Sequence, residues 1–368
     1  MKVGVHAGQL LQPVPGGIGR YVHSLLRVLP AAGVDVLAFA AGARPHGIPR
    51  RTEWVDLGPP RGSLRYESWH RLRRPALRLP ADLVHATSLV VPPVPDAPLV
   101  VTVHDVAFLR VPDVSTRRGV SFHKRGLELT RRDADLVIAV SAFTRDELVR
   151  EGFDPNSLEV ALLGIDPPPE RTDDEIDAAV AATGIESPYV LTVGTVEPRK
   201  DLPTLADAVE RVRGRGAADL QLVVVGPPGW GHVEGIDRPF VRRLGDQPWP
   251  TVDALIRRAD AYCIASRYEG FGLPALEAIA RGAPLAAASG SSVAEVVADA
   301  ALLFPPGDVD ACASALERLL DDAALRADLA ARGRARAAEL TWARCADAHA
   351  AAYARAVTRH AERGAARS

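Results

Sequence analysis

Short, uninterrupted apolar runs recur along this chain with helical patterns between them, and the runs do not alternate apolar with polar. Strands of that kind are buried on both faces, as in parallel sheets whose crossovers are helices. The fold class this dictates is α/β, with doubly wound, Rossmann-like sheets. In the first half strands are expected at KVGVHA (2–7), VDVLAF (34–39), LVHAT (83–87), LVVTVHD (99–105), LVIAVS (136–141) and LEVALL (158–163). In the second half they are expected at YVLTVGT (189–195), LQLVVVG (220–226), AYCIAS (261–266), PLAAAS (284–289) and ALLFPPGD (301–308).

Between the halves the rhythm breaks at GIDPPPERTDDE (164–175). Three successive prolines followed by acids continue neither a helix nor a central strand, so the segment reads as a linker. A chain of 368 residues also exceeds the size at which one hydrophobic core stops growing. The expected organisation is a domain at 1–166, a linker at 167–185, a second domain at 186–340 and a C-terminal helix at 341–368. From about 309 the chain is Ala/Arg-rich and helical. That tail packs across both domains, caps the second, or packs back on the first.

Composition narrows the functional classes. With 47% hydrophobic and 24% charged residues, and 44 cations against 46 carboxylates for a net charge of −2, the chain is globular and lacks the strongly basic domain of a nucleic-acid binder. Cys263, Cys312 and Cys345 are widely spaced, which fits neither a disulfide framework nor a zinc site and points to the reducing cytoplasm. The N-terminal MKVGVHAG runs straight into a strand, and no apolar stretch reaches the roughly 18 residues of a membrane span.

The chemistry concentrates at SRYEGFGLPALEAIAR (266–281), directly after an expected strand and therefore at its carboxyl end. Pro274 suits the first residue of a helix, where its missing amide hydrogen is no loss. The amides of Phe271, Gly272 and Leu273, with Gly270 before them, then stand at a helix N-terminus, which favours an anion such as a diphosphate. Glu277, one turn in, is placed to bond sugar hydroxyls, and Glu269 reaches another part of the ligand. A Gly-x-Gly-x-Pro turn alone serves ordinary strand-to-helix packing equally well. In VGTVEPRKDLPTL (193–205), however, Arg199 and Lys200 follow a second strand end, and charge-assisted bonds to phosphate are strong. A third glycine-rich turn, PGGIGRYVHSLLRVL (15–29), opens a helix after the first strand. It lacks the full Gly-x-Gly-x-x-Gly of a nicotinamide site.

Taken together, Glu269 to Glu277 with GFGLP between, GTVEPRK and PGGIGRY resemble the retaining glycosyltransferases of family 4, which have the GT-B fold. The likeness extends to VHDVAFL (103–109), VSAFTRDEL (140–148) and SSVAEVVADAALLFPPGD (291–308), so it covers nearly the whole chain. It implies transfer of a hexose from a nucleotide-diphosphate sugar with retention, no cofactor and no obligatory metal. It makes the first domain the acceptor side and the second the donor side. Arg199 and Lys200 become the diphosphate clamp, Glu277 the ribose ligand, Glu269 a contact to the donor sugar and His104 the floor of the site on the first domain. Gly16, Gly17 and Gly19 lie under the diphosphate or sugar. Thr195, a donor-binding residue on this likeness, stands where many relatives carry arginine, and Arg199 supplies that cation. The GT-EPRK variant is similar to bacterial polysaccharide mannosyltransferases, which implies mannose as the sugar and a glycan, glycolipid or glycosylated metabolite as acceptor. The rivals are a nucleotide-sugar 2-epimerase of the same fold and a non-catalytic nucleotide-sugar-binding subunit.

Other residues have structural readings. Ser292 and Glu295 match a capping box, Ser141 reads as an N-cap with acids in the first turn, and His85 reads as a core histidine. Trp230 either flanks a base pocket or anchors packing. The segment 61–78 has six arginines and one glutamate interleaved with Leu64, Trp69, Leu72 and Leu77, and 110–132 is also basic. Such runs are usually solvated faces. They also fit a peripheral protein on an anionic membrane with a lipid-linked acceptor.

Overall fold

The computed structural model describes residues 1–60, 62–111, 116–229 and 231–365. The chain forms two compact units, one built mainly from residues up to Gly164 together with the segment from Thr341 on, the other mainly from Ile165–Leu340. Each has a wholly parallel sheet. In the first, strands β1 (Lys2–His6), β2 (Asp35–Ala40), β3 (Glu53–Asp56), β4 (Leu83–Ala86), β5 (Leu99–Val103), β6 (Leu136–Ala139) and β7 (Leu158–Val160) lie in the order 3-2-1-4-5-6-7. In the second, β8 (Tyr189–Val193), β9 (Gln221–Val225), β10 (Val241–Gly245), β11 (Ala261–Ile264), β12 (Leu285–Ala288) and β13 (Leu302–Phe304) lie in the order 10-9-8-11-12-13.

The apolar runs at 2–7, 34–39, 83–87, 99–105 and 136–141 became β1, β2, β4, β5 and β6, whose residues are nearly all buried. Two strands escaped the sequence pattern, β3 (EWVD) and β10 (VRRLG), and both are edge strands with exposed charged residues. An edge has one neighbour and half its surface in water, so it needs no apolar run. The expected strand 158–163 shortens to Leu158–Val160 for the same reason of edge position.

The proline-rich stretch does not leave the chain irregular. A helix, Asp173–Ala181, starts soon after it, closed by a reciprocal capping box in which Thr172 accepts from the Glu175 amide and the Glu175 side chain accepts from the Thr172 amide. The Thr-x-x-Glu spacing was the available signal. Ser141 does cap its helix, accepting from Thr144 at 3.0 Å, but no acid lies in the first turn. Three helices follow Phe304, at Val309–Asp321, Ala323–Glu339 and Trp342–Ala365, and the last packs in the first unit.

Two glycines let the strand ends of the second sheet cross closely. Gly226, at φ 143° after β9, brings its Cα so near Gly194 that an added Cβ would lie 2.1 Å from the Gly194 carbonyl oxygen. Gly226→Ala is expected to lower the melting temperature by roughly 5 °C or more, because the clash is with backbone and the dihedral is closed to L-residues. Thermal unfolding by circular dichroism checks it; an unchanged melting temperature would contradict the close crossing.

Candidate functional site

In the second sheet the strand order turns back between β8 and β11, with β9 and β10 on one side and β12 and β13 on the other. Connections leave in opposite directions there, and the crevice at the carboxyl ends is where open α/β sheets bind ligands. From β8 the chain passes Gly194 and Thr195 to a turn at Pro198–Lys200. From β11 it passes Ser266 and the glycine hinge into the helix Leu273–Ala280.

These two strand ends are joined by charge. Lys200 Nζ donates to Glu269 Oε1 at 2.7 Å, and the Arg199 guanidinium lies 3.0 Å from Glu269 Oε2. Arg199 also donates to Glu197 Oε1 at 2.6 and 2.9 Å and to the Tyr268 carbonyl at 2.7 Å, while the Arg267 amide donates to the Arg199 carbonyl at 2.9 Å. Arg199 therefore stitches the two loops together, whereas Lys200 directs its ammonium at Glu269. Gly194 makes room for that reach, since a Cβ there would sit 3.2 Å from Lys200 Cε. Glu269 is only 8% exposed. Burial opposes its charge, but Arg199 and Lys200, with hydrogen bonds from Lys200 and Ser266, outweigh burial and hold the carboxyl at about 2. Gly194, Thr195, Lys200, Ser266, Glu269 and Pro274 all line one small recess.

Gly272 is the N-cap of the helix, in the left-handed region at φ 89°, so Leu273 is the first helical residue and Pro274 the second, one later than the sequence reading. A Cβ on Gly272 would lie 2.9 Å from Val293 Cγ2. No side chain caps this helix end, and the Phe271, Gly272 and Leu273 amides stand at its positive pole. The Phe271 ring itself is buried. Glu277, in the second turn, is 3% exposed, and its carbonyl accepts from Arg281, whose guanidinium is held by the buried Asp253 at 2.6 Å.

Two serines were not read as site residues. Ser292 does not cap its helix; its hydroxyl donates to the Glu269 carbonyl at 2.8 Å, fixing the backbone of the acid. Glu295 offers its carbonyl to Arg336 at 3.0 Å. The capping-box reading is thereby corrected, and its physical reason is that Ser292 has helical rather than extended dihedrals, φ −56° and ψ −17°. Ser266 bonds Glu269 and had no sequence signal beyond its position after β11. Trp230 lies outside the described residues, as do Arg61 and residues 112–115 of the basic stretches.

In the first unit His104 follows β5. Its Nε2 donates to the Thr87 carbonyl at 2.9 Å, its ring meets the Tyr21 ring at 82° with centroids 4.9 Å apart, and Thr144 Oγ1 donates to its carbonyl at 3.4 Å. Burial lowers its pKa. The imidazole is then neutral near neutral pH, with Nδ1 carrying the lone pair. Gly16, at φ 61°, and Gly17 open the helix Gly16–Val28. Gly19 has a local reason to lack a side chain, since a Cβ would fall 2.2 Å from Pro15 Cβ. The basic segment is less open than its composition implies. Trp69 is fully buried, and Arg65 caps the carbonyls of Leu57, Gly58, Pro59 and Pro60. Leu64 and Leu72 remain 69% exposed.

Among the described residues no group of three or more His, Cys, Asp or Glu is placed to hold a metal ion, and no helix is long and apolar enough to cross a membrane. All three cysteines are free and buried.

Comparison with known proteins agrees with this layout. Residues 15–168 match the family described as Glycosyltransferase Family 4, and residues 174–336 match Glycosyl transferases group 1. The O-antigen chain mannosyltransferase B of Escherichia coli is 30% identical over 67% of this chain and 67% of its own length. The MMP alpha-(1->4)-mannosyltransferase of Mycolicibacterium hassiacum is 29% identical over 94% of this chain and 96% of its own. Among solved structures, Anabaena Alr3699/HepE in complex with UDP and glucose superposes with a TM-score of 0.72 at 19% identity, covering 95% of this chain and 98% of that one. Sucrose-phosphate synthase from Thermosynechococcus elongatus gives 0.73 at 22% identity, over 94% and 96%. These two likenesses are of fold. With both halves matched and a mannosyltransferase related across two thirds of its length, the chain belongs to glycosyltransferase family 4 and is an enzyme of the GT-B fold.

Proposed function

We propose that the second unit binds a nucleotide-diphosphate sugar at the ends of β8 and β11, and that the enzyme transfers its hexose with retention to an acceptor held by the first unit. The observation that carries this reading is the meeting of Lys200 and Glu269 where the strand order reverses, beside an uncapped helix end. Negative charge grows on the departing diphosphate as the glycosidic bond breaks, and fixed donors stabilise it best when they need no reorganisation. Lys200 and the amides of Phe271, Gly272 and Leu273 are such donors. Arg199, already bound to Glu197 and Tyr268, acts by setting the loop and adding field rather than by swinging onto the phosphate. Glu277 takes the ribose hydroxyls. Glu269 stays an anion and accepts from the donor sugar's hydroxyls. In the first unit His104 offers Nδ1 as an acceptor to a sugar hydroxyl, and Gly16, Gly17 and Gly19 leave the backbone open to close approach. No metal is required for these roles.

Mannose is the proposed sugar, because relatives along most of this chain are named as mannosyltransferases. A glycan or lipid-linked acceptor fits the same relationship. Contact with an anionic membrane at the cytoplasmic face rests on a narrow patch, Leu64 and Leu72 beside Arg71, itself 74% exposed, and a basic groove that includes Arg117, Arg118 and Lys124.

A thermal-shift screen over UDP-, GDP- and ADP-sugars identifies the donor, because a ligand of the native state raises the melting temperature. Lys200→Ala and Glu277→Gln are each expected to weaken donor binding or kcat/KM by about tenfold or more with folding preserved; wild-type kinetics in both would end the assignment. Glu269 supplies a further check. Its folded pKa is depressed from 4.5 to about 2, so the stability it contributes is present above its ordinary pKa and lost as pH falls through the folded value. The melting-temperature gap between wild type and Glu269→Gln should therefore be widest near neutral pH and close as pH drops below about 4.5; a gap constant with pH would refute the ion pair. Flotation with anionic liposomes should fall in Leu64→Gln/Leu72→Gln, and absence of wild-type flotation at low salt removes the membrane contact.

A further inference from the structure

The first unit contains a buried chain of polar side chains that the transfer reaction, as derived above, does not use. Tyr353 bonds His85 Nδ1 at 2.8 Å, His85 Nε2 bonds Thr102 at 2.8 Å, Thr102 bonds Tyr21 at 2.8 Å, Tyr21 bonds His349 Nε2 at 2.8 Å, and His349 Nδ1 bonds the Cys345 carbonyl at 2.7 Å. All five side chains are 0% exposed.

One acceptor sets every proton in this chain. A carbonyl only accepts, so His349 carries its hydrogen on Nδ1. Burial lowers the pKa of His349 to about 4 and that of His85 well below its ordinary value, so both rings are neutral. Nε2 of His349 is then an acceptor, which requires Tyr21 to donate to it. Tyr21 in turn accepts from Thr102, Thr102 accepts from the His85 Nε2–H, and Tyr353 donates to His85 Nδ1. Each hydroxyl has one orientation, and the Tyr21 hydroxyl is held by two partners, Thr102 and His349.

Tyr21 is also the ring against which His104 packs. His85 and Thr102, on β4 and β5, lie two residues before Thr87 and His104, which directly follow the ends of those strands. Tyr21 therefore touches both groups, its hydroxyl bonded to Thr102 and its ring against His104, which donates to the Thr87 carbonyl. We infer that the C-terminal helix is a positioning element of the active site: His349 fixes Tyr21, and Tyr21 fixes the His104 imidazole in the orientation that presents Nδ1. This rests on the reading of His104 as a sugar contact. His349, Tyr353, Thr102 and Tyr21 are positioning residues.

The test uses two substitutions at one position. His349→Leu fills much of the space but accepts nothing, while His349→Gln can place an amide oxygen where Nε2 was. Turnover is read as GDP release from GDP-mannose and UDP release from UDP-glucose, well below each variant's melting temperature. His349→Leu should lower kcat about tenfold with donor KM changed by less than about threefold, and His349→Gln should recover most of the loss. In a His104→Ala background, His349→Leu should add less than about twofold, since residues acting through one another are not additive. The same loss in both backgrounds, or full kcat in His349→Leu, overturns the positioning claim while leaving His104 in place. Full activity in His104→Ala overturns the site reading and the inference with it. Independently of turnover, nitrogen-15 spectra of histidine-labelled protein should show His349 protonated on Nδ1 and His85 on Nε2. They should also show His104 ring signals that move in His349→Leu and return in His349→Gln. The opposite tautomer at His349, or His104 signals indifferent to His349→Leu, overturns the relay.

Discussion

The ion pair between Lys200 and Glu269 is the contact on which the strand-end recess of the second unit depends. It closes a gap of 69 residues in sequence and joins the ends of two neighbouring parallel strands. A carboxylate this deeply buried is costly unless it is compensated. Here Arg199, Lys200 and Ser266 share the compensation, while Ser292 holds the backbone carbonyl of the same residue. The consequence is an already charged recess in which the Lys200 cation faces an anion of the protein. The arrangement fixes charges at the end of the second sheet before any ligand is present.

Much of this was readable from residue order, for a reason that also marks the limit. Strands buried on both faces must be apolar throughout, and β1, β2, β4, β5 and β6 carry that signature. Edge strands are free of the demand, which is why EWVD and VRRLG were silent. Lys200 and Glu269 at strand ends, and Glu277 in the helix that follows, stood out because glycine and proline mark those ends. Who bonds whom did not. Ser292 carried the spacing of a cap, yet its dihedrals turn the hydroxyl to Glu269. The Thr172–Glu175 box was written in the sequence and was overshadowed by three prolines.

Histidine shows the same limit more sharply. A lone His85 inside an apolar run has no visible partner, and the structure supplies two, one of them 268 residues away on the C-terminal helix. Long-range polar pairs of this kind leave no periodicity, because a single polar side chain in an apolar strand is compatible with many neighbours. They are nonetheless expensive to leave unmade once buried, so the network fixes the first unit's interior more uniquely than its apolar packing alone.

The chain visits the first unit, leaves it at Gly164 and returns at Thr341. During synthesis the earlier segment therefore emerges without the helix that supplies His349 and Tyr353, leaving Tyr21 and His85 short of their partners. Residues 165–340 are contiguous and can finish their own core first, since domains generally fold as units. The ribosome must deliver the 24-residue closing helix before the opening half can settle, so the order of assembly runs opposite to the order of the code.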